Sequence, residues 1–475
     1  GEVTNLIKDS KWPTAGPQGY QVANSCRFNS GSDDHLDKTF AQAGNRRTFT
    51  ISFWIKTTVK ETYNSIFDAA QDGSNSDDLY FHTNRLNFSG YYGSTQFALR
   101  TTAKFRDPGA WYHHVIAFDT TQGTASNRIK FFTNGVQETA FDEETYPSLN
   151  FQTSYMNTAR LHNIGTLVNN DDFPLDGYLS EFVFIDGSAL AADQFGEFNS
   201  QTGIWVPKVV TGLTFGTNGF YLPFTNSGAL GEDFSGEDND FTVNNLTSID
   251  QSTDTCSTNF ATMNPLSNYY NSDAAFSDGN NTVECGGTAS AAITSTIGAS
   301  SGKWYAEFKN ISGSGGGSVF GIESLSYQTG VTHYVGYNNY SWGYFQQDGK
   351  IKNNNSDIAT YSSQTNGDIC GIALDLDNNK LYFSKNGTWQ NSADPSAGTG
   401  GISITAPAST DTGVYLFSGS DDNQYASRTF SSDFGSPVYA ISSGNTDGNG
   451  FGNFEYAVPS GYLSLNTKNL AAVLA

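Results

Sequence analysis

Several oxygen-bearing side chains fall within one short glycine-containing stretch of the sequence, DFSGEDND. The candidate cation ligands in this stretch are Asp233, Ser235, Glu237, Asp238 and Asp240. Calcium takes roughly six to eight oxygen ligands, which closely spaced carboxylates, hydroxyls and carbonyls can supply. We therefore predict a calcium site in this loop, with an ordinary solvated acidic turn as the simpler alternative. No other cofactor is indicated.

Two tyrosine-rich stretches have the residue types that bind sugars. Aromatic faces stack on sugar rings, and amide groups hydrogen-bond to sugar hydroxyls. Loops on a rigid scaffold are common places for such contacts. The candidates, in GYYGS and YNNY, are Tyr91, Tyr92, Tyr337, Asn338, Asn339 and Tyr340. The alternative is that these are ordinary surface residues.

Paired carboxylates that would support glycoside hydrolysis are poorly placed. Such enzymes hold two carboxyl groups about 5–9.5 Å apart across a groove. Glu181 and Asp186 are five positions apart in one strand pattern, so they are expected on opposite faces. Asp375 and Asp377 share a face but flank a tight turn. Neither pair predicts a hydrolytic site.

The histidines give no better support for catalysis. His113 and His114 are neighbours in a strand pattern, which predicts one core histidine and one surface histidine. The other four histidines are isolated, and no glycine-rich phosphate loop precedes a helix. We therefore predict that the protein is not an enzyme.

Composition limits the class of protein that must position these residues. The chain has 475 residues with 50 Gly, 14% aromatic and 15% charged residues, and a net charge of −23. A net acidic chain repels phosphate, which argues against nucleic-acid binding. No apolar run approaches the ~20 residues that span a membrane. The aromatic content argues against disorder, and the composition favours an all-β fold.

Strand patterns are dense along the chain. Residues 48–56 alternate apolar and polar side chains, and residues 128–133 run into an Asn-Gly pair typical of a hairpin. Residues 368–375 form another strand pattern in the second half. Residues 189–198 predict one short helix. Short strands with frequent turn signals indicate β-sandwiches.

A repeated pattern of strands and turns divides the chain into two related parts. Residues 114–137 and 371–390 share an apolar strand ending in Asp, a turn, an aromatic strand and an Asn-Gly turn. This predicts a first sandwich over residues 1–205 and a second over residues 301–475. Between them, residues 206–300 would form a bridging segment that contributes the first strands of the second domain.

Longer motifs resemble two known families. The first half resembles the laminin-G/pentraxin branch of the concanavalin-A-like sandwiches, in FTISFWIKT (49–57), WYHHVIAFD (111–119), IKFFTNGV (129–136) and LDGYLSEFVFIDGSAL (175–190). The second half resembles a SPRY domain, in GKWYAEF (302–308), SWGYFQQDGKI (341–351), GDICGIALDLDNNKLYFSKNG (367–387) and VYLFSG (414–419). The resemblance implies an all-β chain of two tandem concanavalin-A-like jelly-roll β-sandwiches, the second SPRY-like.

The order of these two parts resembles structural proteins of marine tailed phages that are described as tail-fibre or receptor-binding. That resemblance implies a non-enzymatic structural or adhesion protein of the virion surface, as a fibre, tail or capsid-surface component. Its expected partners are other virion proteins, copies of itself and a host-surface glycan or protein receptor. A secreted calcium-dependent lectin and a purely architectural protein are the alternatives.

By analogy with pentraxin calcium sites, residues 169–172 (NNDD) with Asp68 and Asp72 form a second calcium candidate. It requires distant loops to meet, and separate surface acids are the simpler interpretation.

The four cysteines are too scattered for a zinc site. Cys256 and Cys285 lie in polar surroundings, where a disulfide is an open alternative. Cys26 and Cys370 lie beside apolar runs, which predicts buried thiols.

Overall fold

The chain forms two units built largely of β-strands. The structure is a computed structural model, and it describes residues 19–58, 63–168, 173–267, 274–286, 292–313, 317–324, 333–422 and 427–474. We name them the N-terminal sandwich (Gly16–Ser257) and the C-terminal sandwich (Thr258–Ala475). Each unit contains two large sheets with an apolar core between them. The predicted all-β class with two tandem sandwiches is confirmed.

The N-terminal sandwich contains eighteen strands among its described residues. In chain order they are β1 (Ser25–Phe28), β2 (His35–Thr39), β3 (Thr48–Thr57), β4 (Asn64–Asp72), β5 (Asn75–His82), β6 (Arg85–Tyr92), β7 (Thr95–Thr101), β8 (Tyr112–Asp119), β9 (Ile129–Thr133), β10 (Val136–Gln137), β11 (Phe141–Thr145), β12 (Leu161–Ile164), β13 (Gly177–Asp186), β14 (Gly196–Phe198), β15 (Trp205–Pro207), β16 (Phe220–Leu222), β17 (Thr242–Asn244) and β18 (Gln251–Ser252). Short 3-10 helices lie at Ser30–Ser32, Ala125–Asn127, Ala192–Gln194 and Ser248–Asp250.

These strands form two antiparallel sheets and a small hairpin. The first sheet has the order β10–β9–β8–β3–β13–β1–β18, and β16 also pairs with β13. The second sheet has the order β11–β7–β6–β5–β4–β12–β2–β17, and β14 pairs with β15. Between the sheets, Phe49 stacks on Phe118 with ring centroids 4.5 Å apart and lies 5.6 Å from Phe184.

The β14–β15 hairpin covers the outer face of the first sheet, and two predictions are wrong in this region. Residues 189–198 do not form the predicted helix. They form a 3-10 turn followed by β14 of the hairpin. The predicted surface histidine is also wrong, since the hairpin buries His113 beneath Trp205, whose indole Nε1 donates a hydrogen bond to His113 Nδ1 at 3.0 Å. Gly196 permits this contact, because a Cβ there would lie 2.5 Å from the Trp205 ring.

The N-terminal sandwich extends past the predicted boundary at residue 205. Strand β16 pairs with β13, β17 with β2 and β18 with β1. These pairings satisfy backbone groups that the sheet edges would otherwise leave open. Residues 206–257 therefore complete the first sandwich, whereas the strands after residue 258 belong to the second.

The C-terminal sandwich contains fifteen strands and one α-helix among its described residues. The strands are β19 (Ala275–Ser277), β20 (Thr282–Cys285), β21 (Ala292–Thr294), β22 (Lys303–Gly313), β23 (Ser318–Glu323), β24 (Ser341–Phe345), β25 (Lys350–Asn353), β26 (Ser356–Thr360), β27 (Ile369–Asp375), β28 (Lys380–Lys385), β29 (Thr388–Trp389), β30 (Ile402–Ser403), β31 (Leu416–Asp421), β32 (Arg428–Asp433) and β33 (Leu463–Ser464). The helix α1 is Thr467–Leu474, and 3-10 helices lie at Pro265–Ser267, Gln390–Ser392 and Pro407–Ser409.

The C-terminal sandwich also has two sheets. One has the order β19–β20–β32–β22–β27–β28–β29, joined by β30 and β33, and the other β21–β31–β23–β24–β25–β26. The outer face of the first of these sheets is covered by the chain after β32, which contributes Phe454 and Tyr462. All four cysteines are free thiols, and Cys26 and Cys370 are buried as predicted. Among the described residues, no helix is long and apolar enough to cross a membrane.

Candidate functional site

The candidate site lies on the outer face of the second sheet of the N-terminal sandwich. Side chains alternate between the two faces of a strand, so Leu79 and Phe81 of β5 enter the core. Ser76, Asp78 and Tyr80 of the same strand project to the opposite face. That face is the one on which a pocket forms.

A β-bulge in β4 places further polar side chains on this outer face. The pairing of β4 with β5 shifts between Ser65 and Phe67, so two consecutive side chains, Ile66 and Phe67, enter the core. Ser65 and Asp68 flank them on the outer face. Asp68 is consequently the direct cross-strand partner of Asp78.

Aromatic side chains form one wall of the pocket, which has a volume of about 370 Å³. Tyr63 stacks on Tyr80 with ring centroids 5.2 Å apart, and Phe173 lies 5.1 Å from Tyr63. Tyr91 lines the pocket from the neighbouring strand β6. Tyr63, Phe173 and Tyr91 are 39%, 43% and 42% exposed, so their faces are available to a ligand.

Polar side chains form the rest of the pocket lining. Ser76 donates a hydrogen bond to Asp78 at 2.6 Å, and Ser89 is the cross-strand partner of Asp78. Glu143 of β11 lies at the rim, where Arg100 pairs with it at 3.4 Å. The pocket therefore combines exposed aromatic faces with hydroxyl and carboxylate groups.

Beside the pocket, three oxygen-bearing side chains lie in one row across β12, β4 and β5. Asn163, Asp68 and Asp78 are successive register partners. Asp68 is fully buried, and its Oδ2 accepts a hydrogen bond from the Val168 backbone at 2.6 Å. Burial, and then the neighbouring Asp78 carboxyl within hydrogen-bonding reach, raise the pKa of Asp68 well above its usual value.

The two tyrosines predicted in GYYGS have different environments. Tyr91 lines the pocket, whereas Tyr92 points inward and donates a hydrogen bond to Asp77 at 2.6 Å. Asp77 also accepts hydrogen bonds from the backbones of Tyr155 and Met156, each at 2.9 Å. Burial raises the pKa of Asp77 to about 7. Tyr92 therefore contributes to folding rather than to the pocket.

The predicted YNNY stretch forms a turn of the C-terminal sandwich. The side-chain amide of Asn353 donates hydrogen bonds to the carbonyls of Asn338 and Asn339, at 3.3 and 3.0 Å. Tyr337 is half-buried with its ring 5.3 Å from Tyr334, and Tyr340 is also half-buried. Sugar binding by this stretch stays a prediction.

The acidic loop DFSGEDND is held together by its own hydrogen bonds. Asp233 Oδ1 accepts from the backbones of Tyr221 and Ser235, each at 2.8 Å. Its Oδ2 accepts from Ser235 Oγ at 2.7 Å and from the Asn239 backbone at 2.9 Å. The backbone of Asp233 in turn donates to Asp240 at 2.8 Å. Calcium binding by this loop stays a prediction, with Asp233 already engaged in shaping the turn.

The second predicted calcium set is only partly visible. Residues 169–172 lie outside the described residues. Asp72 is exposed at the β4–β5 turn, where it accepts hydrogen bonds from Ser74 and Asn75. This turn lies beyond the position at which Asp68 pairs with Asp78. Within the described part of the chain, no group of three His, Cys, Asp or Glu side chains is arranged to hold a metal.

The carboxylate pairs weighed for catalysis serve the fold. Glu181 sits at a bulge in β13 and accepts hydrogen bonds from the hydroxyls of Tyr20 and Tyr221, at 3.2 and 2.6 Å. Burial raises its pKa to about 7. Asp375 pairs with Lys303 at 3.0 Å, and Asp377 accepts a hydrogen bond from the Gly302 backbone at 2.8 Å.

Comparison with known families agrees with this architecture. Residues 30–194 match the concanavalin A-like lectin/glucanases superfamily, in its Laminin_G_3 family, and residues 303–398 match the SPRY domain. No curated protein matches the sequence significantly. The chain thus carries a concanavalin A-like domain followed by a SPRY domain. Lectin-like and SPRY folds are binding folds, and together they fit a binding or adhesion role.

Similar solved structures are distant from this chain. The SPRY domain of human HERC1 is 16% identical with a TM-score of 0.30, covering 36% of this chain and 96% of that one. The heptameric SAP-like pentraxin of Limulus polyphemus is 17% identical with a TM-score of 0.28, covering 37% and 82%. A Bacteroides ovatus protein provisionally described as carbohydrate binding is 14% identical with a TM-score of 0.33, covering 47% and 59%. Similarity of this degree carries no functional argument.

Sequence analysis missed most of the pocket. The alternation of residues 75–82 contained a signal for Asp78 and Tyr80, because it places them on one strand face. Tyr63 and Phe173 come from segments more than 100 residues apart. Only the fold brings these two rings together, so no local sequence pattern predicts their contact.

Proposed function

We propose that the protein is a non-enzymatic adhesion protein that binds a glycan in the pocket of the N-terminal sandwich. The observation that carries this proposal is the combination of exposed Tyr63, Phe173 and Tyr91 with Asp78 and Glu143. Aromatic faces stack on the apolar faces of sugars, and carboxylates accept hydrogen bonds from sugar hydroxyls. The pocket also lies largely within residues 30–194, which match a superfamily that is named for lectins.

In this proposal the protein acts at a virion surface, as a fibre, tail or capsid-surface component. Support comes from the order of the two domains and the bridge between them, which resemble phage structural proteins. The SPRY domain would bind another virion protein, and self-association would raise avidity for a repetitive host surface. Proteomic analysis of purified particles tests this placement, and absence from the particles would leave a secreted lectin as the better description.

The glycan proposal is tested with the full chain on a glycan array, followed by calorimetric titration of the best ligand. Tyr91→Ala and Tyr63→Ala are expected to weaken binding about tenfold each, because each removes a stacking face. Tyr340→Ala serves as the comparison, since it removes a half-buried tyrosine from the other predicted cluster. Loss of binding in Tyr340→Ala alone would move the glycan site to the C-terminal sandwich, and no binding to any glycan would reject the proposal.

A further inference from the structure

Asp78 has aromatic side chains on both sides of it in the pocket. Its neighbours on the outer face of β5 are Tyr80 in one direction and Ser76 in the other, and residues two apart on a strand are separated by about 6.6 Å. Tyr63 stacks on Tyr80. Tyr91 is the cross-strand partner of Ser76 and also lines the pocket. Asp78 therefore lies, in strand register, between two aromatic positions.

The lining of the pocket carries negative charge. Asp78 and Glu143 are its charged residues, and it contains no Lys, Arg or His in the part of the chain that the structure describes. Glu143 pairs with Arg100 at 3.4 Å, whereas Asp78 forms no ion pair with a described Lys or Arg. Burial raises the pKa of Asp68, which hydrogen-bonds to Asp78 as the protonated partner. Asp78 thus carries the negative charge of this carboxyl pair.

The negative field extends to the aromatic wall of the pocket. Burial is the main reason that the pKa of Tyr80 rises to about 12, and the charges of Asp78 and Glu143 contribute to the rise. Aromatic faces are themselves negative, so they attract a cation that lies over them. The chain's net charge of −23 adds attraction at longer range, which salt weakens. The rings and the carboxylates therefore favour a ligand of the same sign.

We propose that the pocket prefers glycans whose sugars carry a free, protonated amine, and that Asp78 binds this amine. An amino sugar offers two features that match the lining, an apolar ring face for Tyr63 or Tyr91 and an ammonium group for the carboxylate. An acetylated amine has no charge, and an acidic sugar is repelled. No metal ion is needed, because the carboxylate contacts the ammonium directly. The proposal rests on the glycan function and names the substrate class of the same pocket.

The test compares two oligosaccharides that differ only in acetylation of their amines. The full chain is titrated calorimetrically in EDTA, at a mildly acidic pH that keeps sugar amines protonated, with a glucosamine oligomer and its fully N-acetylated counterpart of equal length. Wild type should bind the amine form at least about tenfold more tightly, since hydrogen bonds between charged groups are the stronger ones. A lysine oligomer of equal charge should bind at least about tenfold more weakly than the amine sugar, because it has no ring face to stack.

The decisive variant is Asp78→Asn, which keeps the shape of the side chain and removes its charge. It should abolish the preference, weakening binding of the amine oligomer about tenfold while the affinity for the acetylated oligomer stays within about twofold. Glu143→Gln should have a smaller effect, because Arg100 already pairs with Glu143. Asp72→Asn removes a charge from the exposed turn of the same hairpin, outside the lining, and should bind both oligomers as wild type does. Thermal melting establishes that each variant is folded.

The outcomes separate this proposal from the glycan function on which it rests. Equal or tighter binding of the acetylated oligomer by wild type would overturn the preference and leave the glycan function standing. An unchanged preference in Asp78→Asn, loss of both oligomers in that variant, or an equal effect in Asp72→Asn would overturn the role of Asp78. A lysine oligomer that binds as tightly as the amine sugar, or a preference seen only with added calcium, would also overturn the proposal. Absence of binding to every glycan would reject the glycan function itself and this proposal with it.

Discussion

Each sandwich has a pair of neighbouring carboxyl groups on the outer side of a sheet, but the two faces are covered to different degrees. In the N-terminal sandwich, Asp68 and Asp78 lie beside an open pocket. In the C-terminal sandwich, Glu307 and Asp433 are cross-strand partners on β22 and β32, and both are fully buried. The comparison shows what a protein supplies to a carboxyl pair when it seals the pair from solvent.

In the sealed pair, Glu307 receives two hydrogen bonds from backbone groups of the covering chain and one from a side chain of its own strand. Glu307 Oε1 accepts from the Tyr305 hydroxyl at 2.8 Å and the Tyr456 backbone at 2.9 Å, and its Oε2 accepts from the Glu455 backbone at 3.0 Å. Burial raises the pKa of Glu307 to about 7. Burial and the Glu307 carboxyl raise the pKa of Asp433 well above its usual value, so the pair holds a proton that exposed carboxylates have lost. The open pair has fewer protein donors, and its Asp68 and Asp78 carboxyls lie within hydrogen-bonding reach of each other.

The aromatic residues on the two outer faces differ in the same way. On the C-terminal sheet, Tyr305 and Phe454 pack with ring centroids 5.1 Å apart, and both are buried. On the N-terminal sheet, Tyr63, Phe173 and Tyr91 remain exposed. Similar residue types therefore stabilise a fold in one domain and stay available for a ligand in the other, because only one face is covered.

The largest expected effect comes from truncating a covered ring. Phe454→Ala should destabilise the C-terminal sandwich by about 4 kcal/mol, since it leaves a cavity against Tyr305. Tyr91→Ala, on the open face, should change stability by less than about 0.5 kcal/mol while weakening glycan binding. Urea unfolding followed by tryptophan fluorescence measures both. Equal losses of stability in the two variants would mean that the open face is structural and not a binding surface.

A smaller loss is expected from removing the sealed carboxyl group that holds the covering chain. Glu307→Ala should cost about 3 kcal/mol, because three donors lose their acceptor in a buried place. Glu284→Ala removes an exposed carboxylate from the same sheet and is the control, with an expected change within about 0.5 kcal/mol. If Glu307→Ala unfolds at the same urea concentration as the control, the hydrogen bonds to Glu455 and Tyr456 do not anchor the cover.

The repeated strand patterns made the architecture predictable from the sequence. The extent of the first sandwich could not be predicted in this way. Alternation and turn pairs predicted two sandwiches, since both are local features of the chain. The pairing of β16, β17 and β18 with strands that lie far earlier depends on which edges the fold leaves open. The predicted helix over residues 189–198 failed for a similar reason, because packing against the first sheet decided its conformation.

The face that carries the pocket was predictable only in fragments. Tyr91 was selected as a ligand-binding residue, and it lines the pocket. Its neighbour Tyr92 instead points inward, where it donates a hydrogen bond to Asp77. Asp68 was grouped with Asp72, which lies at the other end of β4, whereas the bulge in β4 and the strand register make Asp78 and Asn163 its neighbours. Neither the bulge nor the register can be read from composition or spacing.

The smallest expected effect tests whether the two carboxyl groups of the sealed pair, Glu307 and Asp433, share a proton. Folding raises the pKa of Glu307 from 4.5 to about 7, so the folded state binds more protons than the unfolded state between these values. Stability of the C-terminal sandwich should therefore fall as pH rises through about 5 to 7. Burial and the Glu307 carboxyl raise the pKa of Asp433, so Asp433→Asn removes a carboxyl group whose ionisation the folded protein opposes. Asp433 also raises the pKa of Tyr439 and Tyr305, but both phenols are protonated throughout this pH range, so they add no titration to the comparison.

At pH 8 the Asp433→Asn variant should be more stable than wild type by about 1–2 kcal/mol, because Asn carries no carboxyl group whose ionisation is opposed by burial and by Glu307. At pH 5 the difference between the two proteins should be smaller, because the free-energy cost of a raised carboxyl pKa falls as pH falls toward the unfolded-state pKa. Urea midpoints at pH 5, 6.5 and 8 give the comparison, and subtracting wild type cancels other buried acids such as Asp77 and Glu181. A stability difference that is the same at all three pH values would show that Glu307 and Asp433 do not share a proton, and the contrast between the sealed and the open pair would then rest on hydrogen-bond donors alone.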